Sequence, residues 1–469
     1  MKKIISLSLY ALIGTSLLAD EASMQRQIDL LLKKIEQLES NQKSNDELEK
    51  KVKKIEKTQK FTQAQFKKVK AHDANDNIKW SVDLRSAYEN LQYKYNNGNG
   101  VSNPSIFTQR LRLGMASAPV KGLMFKGQLE VYKTFGGNKI PSAEPFQNVD
   151  WRAASRPDDG TVRIKQAYFV YNLNKKFSFS VGRRPSTTGF LANWRQGDKK
   201  PGSPLAHITN MEVDAGMVKI NDLGLPGSYV KFVAGRAHDT VNTTYGQTPY
   251  VYDPTVAQGE DDGAVDFFVV PASIYDNGQH KLMAQYTAVF NSKGVNDATA
   301  KTKVAAGTTN LGAISYQIEG LSEDNEFLEE SILFASIAGT YTMPSNGYSM
   351  LGSNDNQFGY SFWAGYLFPD MITDSGKFGI EYNYGSQYWT PMTWAEDTLM
   401  GSKIATRGHV GEAYWNIPLV KKYLSAQVRY TYAKHDYRAN TICYWDAPTD
   451  GPTDLKDSQD LRIFVRYQY

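Results

Sequence analysis

Residues 461–469 read LRIFVRYQY. Leu461, Ile463, Val465, Tyr467 and Tyr469 form one set, and Arg462, Phe464, Arg466 and Gln468 form the other. Side chains of an extended chain alternate between two faces, so this is a strand with one apolar and one mostly polar face. The same period runs back to Trp80, where Trp80, Val82, Leu84 and Tyr88 alternate with Ser81, Asp83, Arg85 and Glu89. Between these ends the alternation predicts sixteen strands, near 79–92, 105–117, 122–134, 161–172, 176–185, 211–220, 228–237, 264–273, 280–290, 310–321, 331–341, 357–368, 377–386, 406–417, 423–434 and 459–469. The pair at 211–220 and 264–273 is the least regular.

Connections alternate in length. Those after odd strands are mostly long (135–160, 186–210, 238–263, 387–405, 435–458), and those after even strands are mostly short, such as Ala118 to Lys121 and Pro418 to Lys422. A soluble sandwich has no reason for that alternation, whereas a membrane barrel with short turns at one end and long loops at the other does. Lipid offers the backbone no hydrogen bonds, so a sheet crosses it only when closed on itself. The predicted fold class is all-β: a transmembrane antiparallel β-barrel of about 16 strands, spanning 77–469. Its apolar set faces lipid, its polar set faces the lumen, and tyrosine pairs (93 and 95, 382 and 384, 430 and 432) supply girdles at the interfaces.

Composition agrees. The 469 residues are 41% hydrophobic and 12% aromatic, with 29 Tyr. A net charge of +4 is too even for a nucleic-acid-binding surface. Past residue 19 there is no run of 18 apolar residues, which excludes a helical membrane protein. One cysteine, Cys443, excludes a disulfide framework and a cysteine-built metal cluster.

The first 76 residues read differently. Lys2 and Lys3, an apolar stretch from Ile4 to Leu18 and a small Ala19 predict a secretory signal over 1–19, cleaved on export. Within 20–76, from Met24 to Val69, apolar residues step by three and four, with Met24, Ile28, Leu31, Ile35 and Leu38 in one seam and Leu48, Val52 and Ile55 in a second. So narrow a stripe gives a lone helix nothing to bury, so it predicts an α-helical coiled-coil stalk in the periplasm. A flexible charged linker is the alternative. Ile at a and Leu at d lean toward two strands.

Four stretches carry a family resemblance: VRIKQAYFVY (162–171), GRRPSTTGF (182–190), FGIEYNYGSQYW (378–389) and RGHVGEAYWNIP (407–418). With the stalk and the final strand, they make the chain resemble an outer-membrane porin of an uncharacterised, domain-of-unknown-function family of porin-like barrels. A final amphipathic strand ending in an aromatic resembles the assembly signal of such proteins, although Tyr469 stands where Phe is commoner. A stalk before the barrel resembles arrangements in some trimeric porins, which implies a homotrimer in contact with lipid and lipopolysaccharide.

The function so implied is a water-filled channel for passive diffusion of small hydrophilic solutes and ions, with no cofactor, metal or energy source and no enzymatic activity. The alternation places Arg110, Arg112, Lys126, Glu130, Arg163, Lys165, Arg184, Glu381, Arg429, Arg462 and Arg466 on the lumen face. The basic excess predicts a mild anion preference, against a balanced wall with none. In general porins the third external loop folds inward as a constriction; here it holds Arg195, Asp198, Lys199 and Lys200. An exposed loop touching lipopolysaccharide is the alternative for it. The runner-up functions are a barrel hydrolase, for which His409 sits on the lipid-facing set, and a loop-mediated adhesin or receptor.

Overall fold

The computed structural model describes residues 26, 28–34 and 36; 78–135; 162–238 except 199 and 203; 264–439 except 323, 374, 394 and 395; and 444–469 except 445 and 450. The chain divides into two units, Met1–Asp76 and Asn77–Tyr469. In the first, residues 28–34 are helical with Ile28 and Leu31 exposed. The other expected seam positions, Met24, Ile35, Leu38, Leu48, Val52 and Ile55, lie outside the described residues, as does the expected signal at 1–19.

The second unit is one antiparallel sheet rolled onto itself. Its strands are β1 (Lys79–Tyr95), β2 (Gly100–Val120), β3 (Leu123–Thr134), β4 (Arg163–Asn172), β5 (Phe177–Arg184), β6 (Val213–Asn221), β7 (Tyr229–His238), β8 (Val265–Asp276) and β9 (His280–Asn296). They continue with β10 (Thr302–Glu319), β11 (Ile332–Pro344), the two-residue β12 (Tyr348–Ser349), β13 (Gln357–Pro369), β14 (Lys377–Gly385), β15 (Gly408–Val420), β16 (Leu424–His435) and β17 (Leu455–Gln468). Every strand except β12 is a stave of the barrel, and β12 pairs with the end of β9. Closure is made at β1, where Asp83 lies opposite Arg112 of β2 on one side and Gln468 of β17 on the other. The sixteen expected strands are therefore all present, in a closed ring.

Two hairpins are longer than the alternation predicts. Strands β1 and β2 continue to a connection at 96–99, and β9 and β10 to one at 297–301. The added length carries irregularities of the ladder: Pro104 falls where the register slips between Glu89 and Leu91, and Gly307 where β10 slips against β9. A bulge tolerates a residue that cannot donate to the ladder.

The outer face is apolar, with Ile164, Val181, Ile314, Ile337, Ile380 and Val465 all exposed. Tyr382, Tyr430 and Tyr432 join them. Tyr93 does not: it lies opposite inward-facing Ser458, on the same face as Glu89 and Leu91, which corrects its place in the expected girdle.

The interior corrects the picture of a uniformly wet wall. Two connections turn inward: 185–212, containing the short helix α1 (Ala192–Arg195), and 386–407, which had been expected outside. They grip each other, Asn210 N–H donating to Met392 O at 2.6 Å and Met392 N–H to Ile208 O at 3.0 Å. Phe190, Leu205, Ile208, Trp389 and Ile404 of these loops are buried against Phe267, Val269, Met283, Phe334 and Trp363 of the wall. That explains why 264–273 reads irregularly: in β8 both faces are apolar, one for the exterior and one for the loops. At Gly408, where the second loop returns to β15, φ is +138° and a Cβ would lie 2.2 Å from Lys434 O, so only glycine fits.

Candidate functional site

With apolar packing filling the β8–β13 side, the charged wall of β16, β17 and β1–β4 lines the remaining space, its central Arg85, Arg110, Arg429 and Arg462 covered. Its ladder sets basic residues side by side. Arg429 lies opposite Arg462, Arg466 opposite Arg85, and Arg85 opposite Arg110. Like charges directly opposed across strands repel, so carboxylates must intervene. Asp83 accepts from Arg110 Nη2 at 2.8 Å and from Arg466 Nη2 at 2.8 Å. Glu130 accepts from Arg112 Nε at 2.5 Å and lies 3.7 Å from Lys165, which also pairs with Glu212.

The central carboxylate comes from the second inward loop. Arg85 donates to Asp397 in bidentate fashion, at 2.5 and 2.9 Å. Arg110 and the Tyr132 hydroxyl also donate to it, and Arg112 Nη2 stands 3.9 Å away. Arg462 donates to the Asp397 backbone carbonyl at 2.5 Å. Burial alone would raise the Asp397 pKa; Arg85 and Arg110 instead hold it well below the usual carboxylate range.

A second network fastens both loops to the opposite wall. Lys403 donates to Glu381 at 2.6 Å and to Glu412 at 2.7 Å. Arg195 donates to Glu396 at 2.9 Å and pairs with Glu412 at 2.7 Å. Burial would lower the Arg195 pKa, but Glu412 and Glu396 hold it above the ordinary arginine value. His207 bridges Ser336 of β11 and Ser361 of β13 at 2.7 and 2.9 Å, edge-on to Trp363 and Trp389. Burial pushes its pKa down to about 3, so the ring is neutral. With no exposed atom, it acts as a pin for the loop.

Among the described residues, two cavities lie along the charged wall. The larger, about 650 Å³, is lined by Asp83, Arg112, Gln128, Lys165, Asp198, Lys200 and Arg466 among others. The smaller, about 310 Å³, is lined by Arg85, Glu89, Arg112, Glu130, Tyr132, Arg163, Lys165, Glu212, Asp397 and Arg462 among others. Arg112 and Lys165 stand in the walls of both.

The residues expected on the lumen face are thus spread over three settings. Arg110, Arg112, Glu130, Arg163, Lys165, Arg462 and Arg466 gather at or beside the cavities, with Asp198 and Lys200 of the first loop. Arg195, Glu381 and Arg429 face inward but are covered. Arg429 stands 3.9 Å from Glu412, its guanidinium without a hydrogen-bond partner among the described residues. Arg184 stacks over Tyr168 at 4.8 Å, and Lys126 is exposed opposite Tyr168. Lys199 lies outside the described residues. Sequence reasoning missed Asp397, Glu396, Lys403 and His207. A signal existed: residues 386–407 hold Tyr388, Trp389, Met392, Leu399, Met400 and Ile404, more large apolar side chains than a solvated loop carries.

Sixteen closed staves with an apolar exterior and a charged, partly open interior define a porin-like membrane-spanning β-barrel. The chain belongs to the family described as protein of unknown function (DUF3373), whose model matches residues 100–463. Among solved structures it is similar to the anion-selective porin from Comamonas acidovorans, at 11% identity over 84% of this chain and 99% of that one, with a TM-score of 0.46. It is also similar to Salmonella typhi OmpF in complex with daunomycin (11% identity, 85% and 99%, TM-score 0.47) and to Pseudomonas putida OprB (12%, 86% and 96%, 0.47). No curated protein matches the chain.

Proposed function

We propose that the protein is an outer-membrane channel through which small hydrophilic solutes and ions diffuse passively, with a mild preference for anions. The observation that carries this reading is the pair of polar cavities that share Arg112 and Lys165 inside a closed, externally apolar barrel. The wall supports the charge preference. Arg112, Lys165, Lys200, Lys422 and Arg466 outnumber Asp83 and Asp198 around the larger cavity. Around the smaller, Arg85, Arg112, Arg163, Lys165 and Arg462 face Glu89, Glu130, Glu212 and Asp397. Charge of one sign on a narrow wet wall raises the local concentration of the opposite ion.

The reading includes export through a cleaved signal at 1–19, a periplasmic stalk at 20–76, contact with lipopolysaccharide and assembly as a homotrimer. The loop carrying Arg195, Asp198, Lys199 and Lys200 narrows the path. Swelling of liposomes holding the purified protein tests passive diffusion. Swelling should be fast in small sugars and fall steeply with sugar size; liposomes that swell no faster than empty ones would refute the channel. Chemical cross-linking in outer-membrane fractions should stop at three copies.

A further inference from the structure

The Asp397 carboxylate has the surroundings of a bound ligand. It is brought to the wall by a loop, and the groups that receive it belong to three neighbouring strands. Arg85 meets it bidentately, at 2.5 and 2.9 Å, and Arg110 and Tyr132 add donors. A planar fork of two parallel N–H donors matches a carboxylate specifically. The wall does not need this acid for its own neutrality at every arginine: Arg110 and Arg466 already share Asp83, and Arg112 has Glu130. Beside the cradle lies the cavity of about 310 Å³, open to a solute and lined by the same Arg85, Arg112 and Tyr132. The chain carrying Asp397 is held by the Arg462 bond to its carbonyl and a 3.4 Å contact from Leu399 N–H to Glu89, while the preceding Glu396 is fixed by Arg195 and Ser402, so the Asp397 side chain is the part free to swing.

We propose that Arg85, Arg110 and Tyr132, with Arg112 beside them, form a binding site for small carboxylate-bearing solutes, and that Asp397 occupies it as a tethered stand-in. A solute carboxylate exchanges with the Asp397 side chain, gaining the same donors while the loop gives up its latch. That such solutes are among those crossing the barrel rests on the channel reading; the binding itself does not.

Acetate, the free equivalent of the aspartate side chain, is the probe, titrated by calorimetry into the whole protein in detergent at fixed ionic strength. The Asp397→Ala variant, whose cradle is vacated, should bind acetate saturably, and chloride at equal concentration should not compete fully. Wild-type protein should bind it at least about tenfold more weakly, because the tethered carboxylate competes. Adding Arg85→Gln and Arg110→Gln to Asp397→Ala should abolish binding. Should Asp397→Ala fail to fold, Asp397→Asn keeps the shape, removes the charge and should show the same order of affinities. No acetate binding to a folded variant, or equal binding with the arginines replaced, would overturn the site. Binding in detergent alongside silent bilayers would overturn the channel reading and leave the site standing.

Discussion

Arg195 Nε, carried by a loop inside the barrel, lies 2.7 Å from Glu412 Oε1 on the wall of β15, and both side chains are buried. The pair joins an inward connection to a stave more than two hundred residues away in sequence. Removing one partner of a buried pair leaves the other charge uncompensated, which typically costs 3–5 kcal/mol. Arg195→Gln should cost about 3 kcal/mol, the lower end of that range, because Glu412 keeps Lys403 at 2.7 Å. The midpoint of thermal unfolding in detergent should fall, and single-channel current should become noisier as the loop loosens.

His207 makes the seating of the same loop sensitive to acid. Burial pushes its pKa from the ordinary histidine value of about 6.5 down to about 3, so the folded protein holds the ring neutral while the unfolded chain takes up a proton below about 6.5. Where the unfolded state binds more protons than the folded one, stability falls as pH drops. The contribution is therefore complete above pH 6.5 and declines as pH drops toward 3. At pH 5 the loss is about 2 kcal/mol. His207→Gln, neutral at every pH, should flatten the difference in unfolding midpoint between pH 7 and pH 5.

Arg112 and Lys165 border both cavities, so they should set ion preference more strongly than covered Arg429. Replacing either with Gln should lower anion permeability and raise cation permeability, each by about two- to fourfold, the effect of one unit charge on one ion across ~5–8 Å of water. Reversal potentials in a potassium chloride gradient read this directly, and the shift should shrink in molar salt.

Lys200 lines the larger cavity, whereas Arg195 is locked in its ion pairs. Lys200→Gln should therefore lower anion preference with unfolding unchanged, while Arg195→Gln destabilises the protein. Measuring both variants by reversal potential and by thermal unfolding separates the two roles.

How much of this was legible follows from the range of the interactions. Period-two alternation is local, so every stave can be read from Trp80, Leu113, Val181 or Val465 and their immediate neighbours. Alternation also assigns Arg85, Arg110 and Arg462 to one face. It cannot say what covers that face. Arg85 and Asp397 are 312 residues apart and Arg195 and Glu396 are 201 apart, so no local pattern links them. The inward turn of 386–407 was hidden for a related reason. Its aromatic and aliphatic residues mark a segment that must be buried, but the surface that buries them is the inner side of β8–β13, assembled only when the barrel closes.

The central claim is that ions cross along the wall of β1–β4. Gln128 lies on β3 in the wall of the larger cavity, while Ile380 on β14 is exposed on the outer face. In a Cys443→Ser background, planar-bilayer current through a Gln128→Cys variant should fall stepwise when a bulky methanethiosulfonate reagent is added, while an Ile380→Cys variant is unaffected. Absence of any current from the unmodified protein, or current through Gln128→Cys that ignores the reagent after labelling is verified by mass, would contradict that path.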